Sequence, residues 1–118
     1  MSQDLQPGDF LVYQLESAVA LLRVLDITEV DGQKVWHIAA FDDFFPDVEA
    51  AEKAITSKQQ LSLNTRHVAL TDRAFESTQT ARVANAPITE DENALVNKWK
   101  DDDRKVYDRS IRLLLGLR

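Results

Sequence analysis

Cysteine is absent from the sequence, which excludes disulfides, thiolate nucleophiles and cysteine-bound zinc. Glycine is scarce. It occurs only at Gly8, Gly32 and Gly116, each explicable as a turn or cap residue, so no glycine-rich loop exists to cradle a phosphate and Walker-type and Rossmann-type nucleotide sites are excluded. The serines Ser2, Ser17, Ser57, Ser62, Ser77 and Ser110 all lie outside any Gly-x-Ser-x-Gly elbow, leaving a serine nucleophile without local support. Long apolar runs are missing too. The longest is Ala18 to Leu22, far short of the roughly 18 residues that suggest a membrane span. The opening residues Met1 to Pro7 have neither a basic n-region nor an apolar h-region, so the expectation is a soluble, cytoplasmic protein without a signal peptide.

An excess of positive charge is the last absence. The chain carries 20 acidic and 14 basic residues, a formal net charge of −6. Met1 to Phe41 has six acids against two bases, Asp42 to Ile88 seven against five, and Thr89 to Arg118 seven of each. A nucleic-acid backbone binder normally presents a basic stripe. The acidic first half makes nucleic acid an unlikely partner and suits a basic or neutral protein, because complementary potentials steer encounter.

What is present is an ordinary globular composition, 44% hydrophobic and 29% charged over 118 residues. Length and composition imply one domain, 1–118, with a sheet core over 8–84 and a helical segment over 89–116. Pro7-Gly8-Asp9 is turn chemistry ahead of the apolar run from Phe10 to Leu15. Glu16-Ser17 makes a tight turn into Ala18 to Ile27, which is apolar on both faces and reads as a central strand. Arg23 interrupts one face, and a bulge or a snorkelling side chain is expected there. Asp31-Gly32 is the strongest short hairpin signal available, setting Val35 to Phe41 antiparallel to the second run. The fold class is therefore α+β, with a curved antiparallel sheet or SH3-like small barrel.

Asp47 is a good N-cap for a short helix over Val48 to Thr56. Leu61-Ser62-Leu63 alternates as a strand fragment, and Asn64-Thr65 is read as a turn into Arg66 to Leu70. Thr71 to Val83 admits two readings, a helical turn capped by Asp72 and holding Phe75, or a strand over Thr78 to Val83. Thr89 and Glu92 form a capping box, opening helical structure from Glu90 to Leu115, and Gly116 suits the C′ position with Leu117 folding back onto Ile111. A single continuous helix would place Asp102 in the centre of the stripe formed by Leu95, Trp99, Val106 and Leu113. Because a buried unpaired carboxylate costs several kcal/mol (roughly,), a break at Asp101-Asp102-Asp103 is expected. One straight helix with Asp102 salt-bridged is the fallback.

Three groups of residues carry candidate function. Phe41, Asp42, Asp43, Phe44, Phe45 and Asp47 set aromatics among acids on an expected surface connection, where they serve either as a partner-binding anchor or, for Phe44 or Phe45, as a plug for the open end of the sheet. His37 and His67 offer acid–base chemistry with a carboxylate such as Asp42 or Asp72, or are strand histidines at the edge of the core. Arg104 to Arg118 forms a basic amphipathic segment whose leucines suit core or homodimer packing. Trp36 and Trp99 are expected to pack a strand against the C-terminal helix. Asp42, Asp43 and Asp47 do not have EF-hand spacing, and neither metal nor cofactor is expected. The leading expectation is a non-catalytic protein-binding module, such as an acidic inhibitor or immunity-type protein for a basic partner. A small hydrolase or nuclease using His37 or His67, and a structural subunit assembling through the C-terminal helix, are the alternatives.

Overall fold

The computed structural model describes residues 5–57, 61–102, 104–111 and 114. Its centre is a five-stranded antiparallel sheet, β1 (Asp9–Gln14), β2 (Val19–Val30), β3 (Gln33–Phe45), β4 (Leu63–Thr71) and β5 (Ala81–Asn85), in the order β4-β3-β2-β1-β5. Three helices accompany it, α1 (Val48–Thr56), α2 (Asp72–Glu76) and α3 (Glu90–Asp101).

Local chemistry accounts for the hairpins. Leu15 N–H bonds the Ala18 carbonyl at 2.8 Å across Glu16-Ser17. Asp31 and Gly32 both have positive φ, 53° and 79°, the conformation a two-residue type I′ turn demands. At the start of β1, Gly8 has φ 94°, and a Cβ there would lie 2.5 Å from the Ala86 carbonyl oxygen. Glycine is required at that position because the chain entering the sheet and the chain leaving it touch there: Ala86 N–H donates to Gly8 O at 3.0 Å.

The sheet is covered on both faces, as the doubly apolar second run implies. Because side chains alternate along a strand, Leu22, Val24, Trp36, Ile38 and Ala40 share one face, packed with Ala74 and Phe75 of α2 and with Ile111. Trp36 stacks on Phe75 with ring centroids 4.0 Å apart. On the opposite face Val19, Leu21 and Phe45 pack on Ala51 and Ala54 of α1, while Leu25 and Ala39 pack on Val96 of α3. The expected SH3-like closure is not formed. The end strands β4 and β5 do not pair with each other, and the sheet's two apolar faces are covered by helices instead of by the sheet folding onto itself.

Several local expectations need correction. Arg23 neither snorkels nor bulges: it is 3% exposed, and the β2–β3 register shifts lie on either side of it, at Ala20/Leu22 and Val24/Asp26. Its guanidinium donates from Nε and Nη2 to the two carboxylate oxygens of Glu92, at 3.0 and 3.1 Å, and also to the carbonyls of Gly8 and Pro87. Asn64-Thr65 is no turn, and β4 runs unbroken through it. Both readings of the segment after Thr71 hold in part. A helical turn carries Phe75, capped by Thr71 and not by Asp72, and a strand follows, beginning at Ala81. The capping box at Thr89 and Glu92 is present as expected.

The expected break after α3 is also present. Asp102 is the C-cap, and Arg104 turns with φ 53°. Trp99 Nε1–H fastens this turn to the Lys105 carbonyl at 2.8 Å. The chain then runs beside β4, where Tyr107 N–H bonds Ala69 O and Thr71 N–H bonds Tyr107 O. Leu114 N–H reaches Ser110 O at 3.1 Å, while the Gly116–Leu117 cap lies outside the described residues. Among the described residues no helix is long and apolar enough to cross a membrane.

Truncating Arg23 strands Glu92 and two carbonyls against an apolar layer. Arg23→Ala and Glu92→Gln are each expected to cost roughly 3 kcal/mol, since breaking either side of a buried pair leaves the other uncompensated. Urea denaturation of the two single variants and the double variant checks this, and coupling between the sites should appear as non-additivity.

Candidate functional site

Two places bring together the residues singled out from the sequence. The first is a histidine pair, one ring buried and the other partly exposed. His37 sits in β3 opposite Ala69 of β4, which sets His67 diagonally across from it on the face covered by α3. The His37 Nδ1 and His67 Nε2 atoms are 2.9 Å apart, and His37 Nε2 lies 2.9 Å from Thr28 Oγ1. The rings stack at 5.1 Å, and Trp99 meets the His37 ring edge-on at 4.6 Å. His37 is fully buried.

One proton per ring satisfies this chain in either direction. The Thr28 hydroxyl donates to His37 Nε2 while His37 Nδ1–H donates to His67, or His67 donates to His37 Nδ1 and His37 Nε2–H donates to Thr28. Two imidazolium rings would point N–H at N–H across 2.9 Å. Burial accordingly pushes the His37 pKa down to about 4, with the neighbouring His67 and Lys100 acting in the same direction and Asp26 opposing them. Burial also lowers that of His67. Among the described residues no carboxylate hydrogen-bonds to either ring, and the expected orienters are placed elsewhere. Asp72 accepts from Trp36 Nε1 at 2.8 Å, and Asp42 accepts from Asn64 Nδ2 at 2.8 Å. No group of three or more His, Asp or Glu side chains among the described residues is placed to hold a metal ion.

The second place is the corner where β3 passes into α1. The sequence places the end of this strand at Phe41 with a surface connection after it, but β3 continues through Phe45 and stops at Pro46, which has no N–H to offer a ladder. Asp42 and Asp43 are held in the strand's extension: Asp42 N–H bonds Ser62 O at 2.7 Å, and Ser62 N–H bonds Asp43 Oδ2 at 2.7 Å. Asp47 caps α1 by accepting from Ala50 N–H at 2.8 Å, as its position before Val48 implies. The three phenylalanines separate. Phe45 is buried against α1, Phe41 packs partly beside it and tilts against Phe10, and Phe44 is 49% exposed. Phe45 is thus the plug.

Val48 and Leu63 were not marked as site residues from sequence. They are, with Phe44, the large hydrophobics exposed among the described residues. Leu63 pairs with Phe41 at the β4 edge, Phe44 pairs with Ala20 of β2, and Val48 opens α1 beside Val12 and Val19, so the three lie on different sides of the end of β3. The five acids Asp42, Asp43, Asp47, Glu49 and Glu52 lie in the same segment, with Lys53 as the one base. The available signal was Leu63 at a strand start and Val48 at a helix N-terminus, both positions with little neighbouring chain to cover them.

Comparison of the chain with protein-family models, with curated proteins and with solved structures finds no match.

The histidine pair makes stability pH-dependent with a definite sign. The unfolded chain binds a proton at His37 near the ordinary pKa of 6.5, whereas the folded chain binds it only near 4. Between those values the unfolded state holds more protons, so stability rises with pH. It is full above about pH 6.5 and falls as pH drops toward about 4. Glu92 adds pH dependence only at lower pH. Burial pushes its carboxyl up, but the hydrogen bonds from Arg23 and Thr89 and the charge of Arg23 more than offset this and hold it below the usual value, so its contribution is lost as pH falls through that depressed pKa. Urea midpoints measured at pH 7, 6 and 5 should decline in the wild type and change much less in His37→Gln.

Proposed function

We propose that the chain is a non-catalytic binding module that engages a basic protein partner through the corner formed by the end of β3, the start of α1 and the start of β4. An inhibitor or immunity-type protein that neutralises a basic target is its concrete form. The reading rests on one observation. Phe44, 49% exposed at the end of β3, stands in the segment that carries Asp42, Asp43, Asp47, Glu49 and Glu52. An aromatic centre surrounded by charge is how interfaces concentrate binding energy and exclude water, and an acidic surround accelerates encounter with a basic partner. Asp42, Asp43 and Asp47 are each fixed by a hydrogen bond, so presenting them costs little side-chain entropy.

The alternative of a small hydrolase or nuclease draws on the contact between His37 and His67. Against it stands the enclosure of the pair between Thr28 and Trp99, with Lys100 adding positive charge nearby, an environment that keeps both rings neutral and gives a substrate no approach to His37. Assembly through the C-terminal helix has less support, because the described part of that segment turns Val96, Trp99 and Ile111 into the core.

Pull-down from source-cell lysate at low and moderate salt is the direct test, comparing wild type with Phe44→Ser and with Glu49→Lys/Glu52→Lys. These side chains are exposed, so the variants should fold with stability within about 0.5 kcal/mol of wild type. The expected result is a basic partner retained by wild type, weakened by salt and by charge reversal, and lost with Phe44→Ser at a cost of roughly 2 kcal/mol, about 30-fold. Equal retention by both folded variants would remove the corner as the interface.

A further inference from the structure

The edge between β1 and β5 is left unfinished. β5 begins at Ala81, opposite Val12, and runs to Asn85, opposite Asp9. β1 continues for two more residues, Tyr13 and Gln14, which pair only with Ala20 and Val19 of β2. Leu15 N–H bonds Ala18 O on the β2 side. In an antiparallel ladder successive residues direct their main-chain groups to opposite sides, so the Gln14 N–H and C=O are directed to the side where β5 has already ended. The chain from Ser77 to Thr80 precedes β5 there, and it and the end of β1 line a cavity of about 530 Å³.

The lining of this cavity has a distinct chemistry. Val12, Val19 and Val48 supply apolar surface, and Gln14, Thr78, Gln79 and Thr80 supply amides and hydroxyls. None of its lining residues is charged, in a protein 29% of whose residues are. A larger cavity beside α2 is lined by Glu29, Lys34, Asp72, Arg73, Glu76 and Asp108, so the absence of charge in the first is a local property and not a general one. Thr78 adds an independent observation. It is 6% exposed, and its hydroxyl has no hydrogen-bond partner among the described residues. An orphaned buried hydroxyl is destabilising, and natural structures keep few of them without a reason.

We propose that this cavity is a peptide-binding site that takes a short, extended, uncharged segment of a partner protein. The segment continues the sheet where β5 leaves off. Its main chain pairs with Gln14, its small side chains rest on Val12, Val19 and Val48, and one of its polar groups engages the Thr78 hydroxyl, which is covered in the free protein and turns toward the cavity on binding. Addition of a strand to an unpaired edge gives affinity through main-chain hydrogen bonds, while the pockets beside it select side chains. The uncharged lining selects against charged side chains, which would lose hydration with no counter-ion to replace it. Val48 also belongs to the acidic corner, so one partner can reach both surfaces, yet the cavity stands on separate observations and does not depend on that corner.

The test is an amide-resolved NMR titration of the whole chain at high salt with a terminally blocked, uncharged tetrapeptide of threonine and asparagine. Saturable shifts centred on Gln14 and on Thr78 to Ala81 are expected. Thr78→Val should weaken binding about fivefold, the worth of one hydrogen bond, while raising the melting temperature of the free protein, because a methyl in place of an unpartnered hydroxyl is favourable. Thr78→Ser should retain binding. A purely structural threonine would instead lower the melting temperature on replacement by valine and leave affinity unchanged. That result, or the lack of saturable shifts at Gln14 and Thr78, overturns the proposal. Shifts confined to Asp42, Phe44 and Leu63 also overturn it, while leaving the acidic corner as an interface.

Discussion

The buried guanidinium of Arg23 is the constraint to which the rest of the architecture is fitted. It sits at the middle of the longest central strand but one, on a face otherwise made of Leu21 and Leu25. A cation in that position must be paired and its donors satisfied, or the strand cannot be buried there. Glu92 supplies the charge, and the carbonyls of Gly8 and Pro87 take further donors. Those acceptors come from the entry to β1, the link after β5 and the first turn of α3. One side chain therefore fixes where the chain enters the sheet, where it leaves and where the helix after it begins. Phe10 completes the enclosure, with the Arg23 guanidinium carbon 4.5 Å from its ring centroid, a cation–π contact that favours the charged form inside.

The same helix is secured at its other end by neutral chemistry. Trp99 packs on Val35 and Ala69, reaches the Lys105 carbonyl through its indole N–H, and lies edge-on to His37. Between the two ends Val96 provides the apolar contact with Leu25 and Ala39. α3 thus lies across the sheet on a charged pair at its start and a hydrogen-bonded imidazole pair at its finish. Each choice agrees with its surroundings. Glu92 is in the acidic first turn, where the helix dipole favours a carboxylate. The imidazoles near Lys100 are kept uncharged, where a cation would meet both desolvation and repulsion.

These relationships divide what the sequence discloses from what it does not. Signals confined to a few adjacent residues are legible because the backbone itself enforces them: Asp31-Gly32 with two positive φ values, Thr89 and Glu92 as a reciprocal cap, Asp47 before α1, and the stop before Asp103. Signals that depend on distant partners are not. Arg23 looks like a flaw in a strand because Glu92 is 69 residues away. The helix over Asp72–Glu76 is only one turn and a little more, too short for periodicity to reveal. The extension of β3 through Asp42 and Asp43 contradicts strand propensity and is carried by Ser62 and Asn64 of the neighbouring chain. Of the candidate partner residues, Asp42, Phe44 and Asp47 are exposed, Phe41 and Asp43 partly so and Phe45 buried, and the backbone reading missed that the strand runs on through Phe45.

The distribution of polar groups bears on function more than any single residue does. Side chains able to do chemistry are consumed inside the fold. Arg23 and Glu92 are paired. Asp9 is fully buried, accepting from Gln6 N–H and Asn85 Nδ2 with Arg82 Nη1 at 3.7 Å. His37 and His67 satisfy one another beneath Trp99. A catalytic group must combine an incomplete environment with access to substrate; Arg23, Asp9 and His37 are enclosed, while Glu92 and His67 are partly exposed, His67 beside a cavity of about 230 Å³. Incompleteness is instead found at one end of the sheet. Apolar side chains stand in solvent at the corner of β3, α1 and β4, and a strand edge without its partner opens beside Val48. This contrast between a largely closed interior and an unfinished corner is the physical ground on which the proposal of a binding module rests.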